Sequence, residues 1–257
     1  MNEFLFDFHQ LSVRRSRRTV LNNIDLKIGL SEHAVILGPN GSGKSSLIKT
    51  ITRELYPVSG NGSYVKILGQ TMWDVFDLRT QLGIVASDVM NSGADISCQE
   101  VVLAGFFATS GVWKYNITLE MLDKAARAMR LMGISRLADR PFNQVSAGEE
   151  KRVIIARALA HHPQSLLLDE PMANLDMRSA HDLRQALRKV AAAGSQIVMV
   201  TQSLYDIIPE IDRVILLQKG RIVMDGRKEE VLTSENLSAL FGLKLRVIRQ
   251  GDYFHLI

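Results

Sequence analysis

The sequence lacks the features that mark several specialised classes of protein. It has one cysteine, Cys98, in 257 residues, which excludes an intrachain disulfide and fits a reducing compartment. The longest apolar stretch, residues 101–113, is shorter than the ~18 residues of a membrane span, and glycine, serine and threonine interrupt it. The first ten residues contain acidic residues and no lysine or arginine, so no secretory signal is expected.

An excess of one charge is also lacking, because 31 lysines and arginines stand against 27 aspartates and glutamates, a net charge of +4. This balance is too mild to predict a nucleic acid partner. Hydrophobic residues at 46% and charged residues at 23% are typical of a soluble globular protein that buries a sizeable core. At about 150 residues per domain, the length allows one large α/β domain or two small ones.

The apolar pattern alternates between strands and helices over most of the chain. Strands are expected at 4–8, 20–28, 34–37, 82–86, 165–169, 196–200 and 213–217, and helices from residue 44 and at 148–160 and 176–193. Strands separated by helices favour parallel pairing in a sheet that is covered on both faces. Residues 97–132 instead carry apolar residues at helical spacing, which predicts a helical insertion in the α/β core.

A glycine-rich loop follows the expected strand at 34–37 and matches the pattern G-x-x-x-x-G-K-[ST]. Its residues are Gly38, Pro39, Asn40, Gly41, Ser42, Gly43, Lys44, Ser45 and Ser46. Glycines let successive backbone N–H groups turn inward around a phosphate, and the following helix adds its dipole. Lys44 would then reach the β- and γ-phosphates, and the Ser45 hydroxyl would bind Mg²⁺. A chance glycine loop is the alternative, but strand, loop and helix occur in the order that phosphate binding needs.

Two carboxylates, Asp169 and Glu170, follow directly on an apolar run that predicts a buried strand. In sheets of this kind, ligands bind at the carboxyl ends of the strands. We expect Asp169 to hold the Mg²⁺ and Glu170 to polarise the attacking water. Acidic residues at the end of a strand are common and form a weak signal alone, but a phosphate loop upstream makes the signal strong.

A third motif, Val145-Ser146-Ala147-Gly148-Glu149, opens an expected helix that continues to Leu159. Ser146 with Glu149 three residues later predicts a capping box. Here the sequence resembles the ATP-binding cassette (ABC) family, whose Leu-Ser-Gly-Gly-Gln signature and following helix lie just ahead of a strand that ends in two acids. The resemblance runs from the first strands to about Leu232 and assigns residues 173–176 to the family's D-loop.

The resemblance implies a second copy as partner. In the family, residues at the positions of Ser146 and Gly148 contact the γ-phosphate held by the phosphate loop of the other copy. Two such domains therefore close head to tail around two ATP molecules. Whether the second cassette is an identical chain or a different one stays open.

Three positions depart from the family pattern. Arg15 stands where the family usually has an aromatic residue that stacks on adenine, and its guanidinium either stacks in the same way or is solvated. Ser87 replaces a glutamine that touches Mg²⁺ and water, and it could still hold the metal through a water. Gln202 replaces a histidine that bonds the γ-phosphate, and its amide can donate one hydrogen bond there. Nucleotide binding is therefore a firmer expectation than fast hydrolysis.

The resemblance implies an α/β fold: a P-loop NTPase core with a mixed sheet, an antiparallel β subdomain and a helical insertion at about 88–143. The ATPase domain would span 1–243, and 244–257 would form a short β-hairpin. The implied function is an ATP- and Mg²⁺-dependent ATPase that powers a separate membrane permease from the cytoplasmic side. The alternatives are an ABC ATPase of translation or DNA repair, and a nucleotide-sensing subunit with little turnover. One cassette and no sustained heptads favour the transporter.

Overall fold

A computed structural model describes residues 3–58, 60, 62–73, 78, 80–86, 96–107 and 116–257. Ser87 and residues 88–95 and 108–115 of the expected insertion lie outside the described residues. The chain forms two compact units, the first from Met1–Trp73 and Ile197–Ile257 and the second from Asp74–Gln196. Within the described residues, no helix is both long and apolar enough to cross a membrane.

The strands and helices are numbered in chain order. The strands are β1 (Phe4–Arg15), β2 (Arg18–Gly29), β3 (Ala34–Leu37), β4 (Tyr64–Ile67), β5 (Leu82–Val85), β6 (Ser165–Asp169), β7 (Gln196–Thr201), β8 (Arg213–Gln218), β9 (Arg221–Arg227), β10 (Val247–Gln250) and β11 (Tyr253–Leu256). The α-helices are α1 (Lys44–Ile51), α2 (Cys98–Leu103), α3 (Leu119–Leu131), α4 (Ala147–Leu159), α5 (Met177–Ala192), α6 (Lys228–Val231) and α7 (Ser234–Phe241).

The first unit contains an antiparallel sheet in the order β2-β1-β4. Alternating apolar residues form this sheet because every second side chain points to the same face, and Leu11 and Val13 of β1 are fully buried. A register shift after Val13 marks a bulge near the end of the β1–β2 hairpin. The expected antiparallel β subdomain is therefore present.

The first unit also holds the strands that flank the phosphate loop. Strand β3 pairs in parallel with β7 on one side and with β8 on the other, and β9 returns antiparallel to β8. All four residues of β3 are buried, because the strand has neighbours on both edges and is covered on both faces. The short strands β10 and β11 form the expected C-terminal hairpin, and the Ser234 hydroxyl of α7 accepts a hydrogen bond from the Val247 N–H at 2.9 Å.

The second unit joins a parallel strand pair, β5 and β6, to helices α2 to α5. Helices α2 and α4 begin with capping boxes, formed by Ser97 with Glu100 and by Ser146 with Glu149. Asp176 caps α5 by accepting hydrogen bonds from the backbone N–H groups of its first turn. Each cap occurs where the sequence changes from loop to helical spacing.

Most predicted elements are confirmed with shifts of one or two residues at their ends. The expected helix at 148–160 is α4, and the expected strands at 34–37 and 165–169 are β3 and β6 with the same bounds. Strand β9 was not predicted, because most of its side chains are exposed and show no apolar alternation. Hydrogen bonding to the neighbouring strand β8 makes this segment a strand, although its own apolar pattern does not predict one.

Candidate functional site

The phosphate loop lies between β3 and α1 and takes its shape from Gly43. This residue has φ +113° and ψ 0°, a left-handed conformation that favours glycine. A Cβ at this position would lie 2.9 Å from the Val20 carbonyl oxygen and 3.0 Å from the Leu21 side chain. Only glycine therefore lets the loop turn into α1 against the β2 backbone.

Lys44 places a positive charge inside the loop. The residue is only 4% exposed, and its Nζ donates to the Gly38 carbonyl oxygen at 2.8 Å and to the Pro39 carbonyl oxygen at 3.1 Å. Both of these acceptors are neutral carbonyl oxygens. A phosphate oxygen would form a stronger, charge-assisted hydrogen bond with the Lys44 ammonium.

The N-terminus of α1 is open to an anion. No side chain caps it, and its first turn contains no acidic residue. The first helical N–H groups have no partner within the helix, and the helix dipole adds positive potential at this end. The neighbouring Ser42 hydroxyl is buried and has no hydrogen-bond partner. These features together fit a bound phosphate group.

Gln202 follows the strand that supports the loop on one side. The Gly38 N–H donates to the Thr201 carbonyl oxygen at 3.2 Å, which ties the start of the phosphate loop to the end of β7. The Thr201 hydroxyl donates to the carboxylate of Asp206, and it accepts from the Ser203 N–H at 3.0 Å. The backbone on both sides of Gln202 is thereby fixed, while the Gln202 side chain is exposed.

The tip of the β1–β2 hairpin carries Arg15, which is exposed. The hairpin is tied to the phosphate loop through the β8–β9 turn. The Asn22 N–H donates to the Gly220 carbonyl oxygen at 2.8 Å, and the Gly220 N–H donates to the Ser42 carbonyl oxygen at 2.7 Å. The first unit therefore brings Arg15's hairpin, the phosphate loop and the Gln202 turn into one connected region.

The two predicted carboxylates belong to the second unit. Asp169 ends β6 and is 3% exposed. Glu170 follows with φ +44°, a left-handed conformation that is strained for a residue with a side chain. Strain of this kind is concentrated at functional sites, where the surrounding structure holds it in place. The Ala173 N–H donates to the Glu170 carbonyl oxygen at 3.1 Å and closes the turn that follows.

Sequence reasoning missed Lys151, a residue of α4 that interacts electrostatically with both carboxylates. Burial lowers the pKa of Lys151, and the charges of Asp169, Glu150 and Glu170 oppose this shift. No local motif marks Lys151, because its position beside the end of β6 results from how α4 packs within the unit. The sequence indicated only that Lys151 belongs to the helix that begins after the signature residue Ser146.

The signature residue Ser146 already has partners within α4. The Glu149 N–H donates to the Ser146 hydroxyl at 3.4 Å, and the Ser146 N–H donates to the Glu149 carboxylate at 3.1 Å. Hydrogen bonding to the Ser146 backbone lowers the pKa of Glu149. Arg136 lies 2.6 Å from the same carboxylate. The capping box predicted from the sequence is therefore formed, and its Glu149 side chain is a carboxylate.

Gly148 is buried in the first turn of α4, where α5 approaches closely. A Cβ on Gly148 would lie 2.6 Å from both Cβ and Oγ of Ser179. Any larger residue would push the two helices apart. This packing requirement accounts for a glycine at this position on structural grounds alone.

Within the described residues, no group of three or more histidine, cysteine or acidic side chains could hold a metal ion by itself. A magnesium ion suits this chain only together with a phosphate ligand, because Mg²⁺ is commonly bound by one or two protein groups, waters and substrate phosphates. The predicted ligands fit that chemistry: Ser45 is an exposed hydroxyl of the first unit, and Asp169 is a buried carboxylate of the second. The third predicted ligand, Ser87, lies outside the described residues.

Comparisons with known proteins give consistent matches. Residues 21–173 match the family model described as ABC transporter. The chain is 33% identical over 252 residues to the hemin import ATP-binding protein HmuV of Pseudomonas aeruginosa, covering 95% of each chain. It shares 27% identity and a TM-score of 0.76 with CbiO1 of Clostridium perfringens, part of the ABC transporter complex CbiONQ, over 92% of this chain and 94% of that one.

A third match is the ATP-binding cassette MJ0796 in a dimeric post-hydrolysis state bound to ADP and phosphate. Its TM-score is 0.70 at 25% identity, and the match covers 86% of this chain and 98% of that chain. The two solved structures, CbiO1 and MJ0796, share the α/β architecture described above.

Proposed function

The chain belongs to the ABC transporter family, and from this membership we propose how its residues bind and hydrolyse ATP. It is an ATP-binding subunit with ATPase activity that powers a separate permease. The main observation behind the assignment of the ATP-binding residues is the phosphate loop. The N-terminus of α1 has no capping side chain there, and the buried Lys44 ammonium lies in the same loop. The residues of this loop, Gly38, Pro39, Asn40, Gly41, Ser42, Gly43, Lys44, Ser45 and Ser46, would hold the phosphates.

Mg²⁺ bound with the nucleotide would neutralise phosphate charge and stabilise the transition state. Ser45, Asp169 and Ser87 are the proposed side chains that hold it, directly or through water. Lys44 would release its two carbonyl oxygens and donate to the terminal phosphates. Its short distances to those carbonyls, 2.8 and 3.1 Å, support this exchange because the ammonium is already inside the loop.

Glu170 would orient the attacking water and accept its proton. Its position supports this role, since Glu170 directly follows Asp169 at the carboxyl end of β6, where ligands bind in sheets of this kind. Gln202 would donate its amide N–H to the γ-phosphate. The fixed backbone on both sides of Gln202 supports this proposal, because it limits the space that the exposed amide can sample.

The proposed active unit contains two copies related head to tail. Ser146 and Gly148 of one copy would contact the γ-phosphate held by the phosphate loop of the other, and Arg15 would stack on the nucleotide base. The dimer of the related cassette MJ0796 supports the two-copy arrangement. The proposed division of the chain is an ATPase domain at 1–243, with a helical insertion at about 88–143, and a hairpin extension at 244–257.

The proposed partner in the membrane is a transmembrane permease, and the chain would lie on the cytoplasmic face of the membrane through that contact. Relatives named for hemin import and for the CbiONQ complex support a separate permease.

The test of this proposal is Glu170→Gln in the full chain. The variant should bind Mg-ATP, hydrolyse it at least about a hundredfold more slowly, and accumulate as a dimer, because the amide cannot accept the proton of the water. Light scattering with and without Mg-ATP measures the dimer, and phosphate release measures turnover. Glu235→Gln, an exposed acid of α7, serves as a control that should behave like the parent. A nucleotide-bound variant that stays monomeric would contradict the head-to-tail arrangement.

A further inference from the structure

The C-terminal hairpin, formed by β10 and β11, lies against the segment that follows Gln202. Residues Leu204–Asp206 form a single 3₁₀ turn in this segment, and β11 packs on the turn. The Tyr205 hydroxyl donates a hydrogen bond to the Leu256 carbonyl oxygen at 3.3 Å, and the rings of Tyr205 and His255 lie 5.6 Å apart. The last strand of the chain therefore contacts a turn that is close in sequence to the side chain proposed to bind the γ-phosphate.

Hydrogen bonds connect Tyr205 to the backbone on both sides of Gln202. The Tyr205 N–H donates to the Ser203 hydroxyl at 3.2 Å, and the Ser203 N–H donates to the Thr201 hydroxyl at 3.0 Å. The Thr201 hydroxyl donates to the carboxylate of Asp206, and both of these residues are buried. A displacement of Tyr205 would therefore move the backbone of Gln202.

The C-terminal hairpin is also attached to the sheet that supports the phosphate loop. The Val247 N–H at the start of β10 donates to the Ser234 hydroxyl of α7 at 2.9 Å. Helix α7 is bound to β8 by the Gln218 side-chain amide, which donates to the Leu240 carbonyl oxygen at 2.8 Å. Strand β8 pairs with β3, which leads into the phosphate loop. The hairpin therefore has a fixed support on one side and contacts the Gln202 turn on the other.

The Gln202 side chain is exposed, so packing around it does not orient its amide. The direction in which the amide points depends on the backbone from which it leaves. A small displacement of a group that contacts the reacting phosphate can slow a reaction strongly, because catalysis requires near-exact geometry. Support of this backbone is therefore a requirement for a Gln202 that acts on the γ-phosphate.

We propose that Tyr205 is a positioning residue for ATP hydrolysis, which together with the C-terminal hairpin holds Gln202 in reach of the γ-phosphate. This inference rests on the proposed function, which assigns that contact to Gln202. Tyr205 acts through the backbone and does not itself contact nucleotide. The phosphate loop supplies most contacts to bound ATP, so loss of this support should lower kcat and leave ATP affinity nearly unchanged.

The experiment measures kcat of the full chain at saturating Mg-ATP and its affinity for the Mg²⁺ complex of the β,γ-imido analogue of ATP. Tyr205→Phe removes the hydroxyl and keeps the ring beside His255, whereas Tyr205→Ala removes both contacts. We expect kcat to fall about threefold in Tyr205→Phe and about tenfold in Tyr205→Ala, with affinity within about twofold of the parent. Tyr56→Phe, which removes the hydroxyl of an exposed tyrosine in the same unit, is the control and should keep the parent kcat.

The same substitutions in a Gln202→Ala background separate positioning from destabilisation. Gln202→Ala alone should lower kcat about tenfold, because the hydrogen bond to the γ-phosphate is lost. Tyr205→Ala should then cause no further fall in kcat, since no amide remains to be positioned, although urea unfolding should show the same loss of stability in both backgrounds.

Two results would overturn the positioning role: the same fall in kcat on adding Tyr205→Ala in both backgrounds, or a parent kcat in Tyr205→Ala itself. A parent kcat in Gln202→Ala would instead overturn the proposed contact between Gln202 and the γ-phosphate. Failure of the proposed function is thereby distinguished from failure of the positioning role.

Discussion

Two helix N-termini of this chain are proposed to contact phosphate, and they are built in opposite ways. Helix α1 begins after Gly43, has no capping side chain and has no acidic residue in its first turn. Helix α4 begins after Ser146 with a complete capping box, and its first turn carries Glu149 and Glu150. The first N-terminus leaves its N–H groups to a ligand, whereas the second satisfies part of them from within the chain.

In the proposed head-to-tail dimer, this difference would set an order of binding. Both helix dipoles attract an anion, but two carboxylates in the first turn of α4 repel it. A phosphate would therefore bind first at α1, where the Lys44 ammonium adds attraction, and would meet α4 of the other copy only afterwards. The capping box keeps the signature helix stable while no phosphate is in contact with it.

The largest expected effect comes from removing the Lys44 ammonium, which is present at the N-terminus of α1. Lys44→Ala should lower ATP affinity and the ATPase rate by at least about a hundredfold, since charge-assisted hydrogen bonds to the terminal phosphates are lost. Calorimetry and phosphate release measure the two quantities. Lys49→Ala on the same helix is the control, because Lys49 lies 3.7 Å from Glu54 and away from the loop. Unchanged ATP affinity in Lys44→Ala would refute the role given to α1.

The second prediction tests whether the α4 cap has a function beyond capping. Ser146→Ala should lower the ATPase rate about thirtyfold, in line with the loss of a hydrogen bond to a charged group. It should also lower the free energy of unfolding by about 1 kcal/mol, the usual value of an N-cap. Steady-state hydrolysis and urea unfolding measure both.

Helix α2 supplies a matched control for that variant, since Ser97 and Glu100 form the same capping box there. Ser97→Ala should cost a similar free energy of unfolding and leave hydrolysis within about twofold of the parent. If both variants lost the same activity, destabilisation alone would explain the loss, and Ser146 would have no role at the phosphate.

Sequence pattern predicted the α1 region better than the region around α4. The boundaries of β3, the loop and α1 follow from a buried apolar run and from the left-handed glycines Gly41 and Gly43, which turn the chain there. The position of Lys151 beside the two carboxylates and the close approach of Gly148 to Ser179 depend on helix packing. Such contacts join residues far apart in sequence, so no local period records them.

The third prediction concerns Gln202, which belongs to the same unit as α1. Gln202→His should raise the ATPase rate about tenfold, because an imidazole can carry a charge and form a stronger hydrogen bond to the γ-phosphate than a neutral amide. ATP affinity should change less, since the phosphate loop supplies most contacts in the ground state. If Ser87 limits the reaction instead, Ser87→Gln should give the gain. If both single variants and the double variant hydrolyse ATP at the rate of the parent, neither Ser87 nor Gln202 slows hydrolysis.

The smallest expected effect comes from removing one charge at the α4 site. Glu149→Gln keeps a side chain that can complete the capping box, yet it removes a carboxylate beside Ser146. The ATP-dependent dimer of the Glu170→Gln background should therefore become about threefold tighter, because less repulsion opposes the γ-phosphate. Light scattering over a range of protein concentrations measures this change, and a weaker dimer would contradict the repulsion.

The same variant should also reveal how Glu149 stabilises α4. The pKa of Glu149 is lowered in the folded chain, chiefly by hydrogen bonding to the Ser146 backbone. Its contribution to stability is therefore fully present above the unfolded pKa of about 4.3 and is lost as the pH falls through the lower folded value. The parent should be more stable than Glu149→Gln at pH 7, and this difference should shrink as the pH falls below about 4. Urea unfolding at a series of pH values measures the difference. A difference that stays constant with pH would mean that the Glu149 charge does not stabilise the cap, and the contrast between α1 and α4 would then rest on geometry alone.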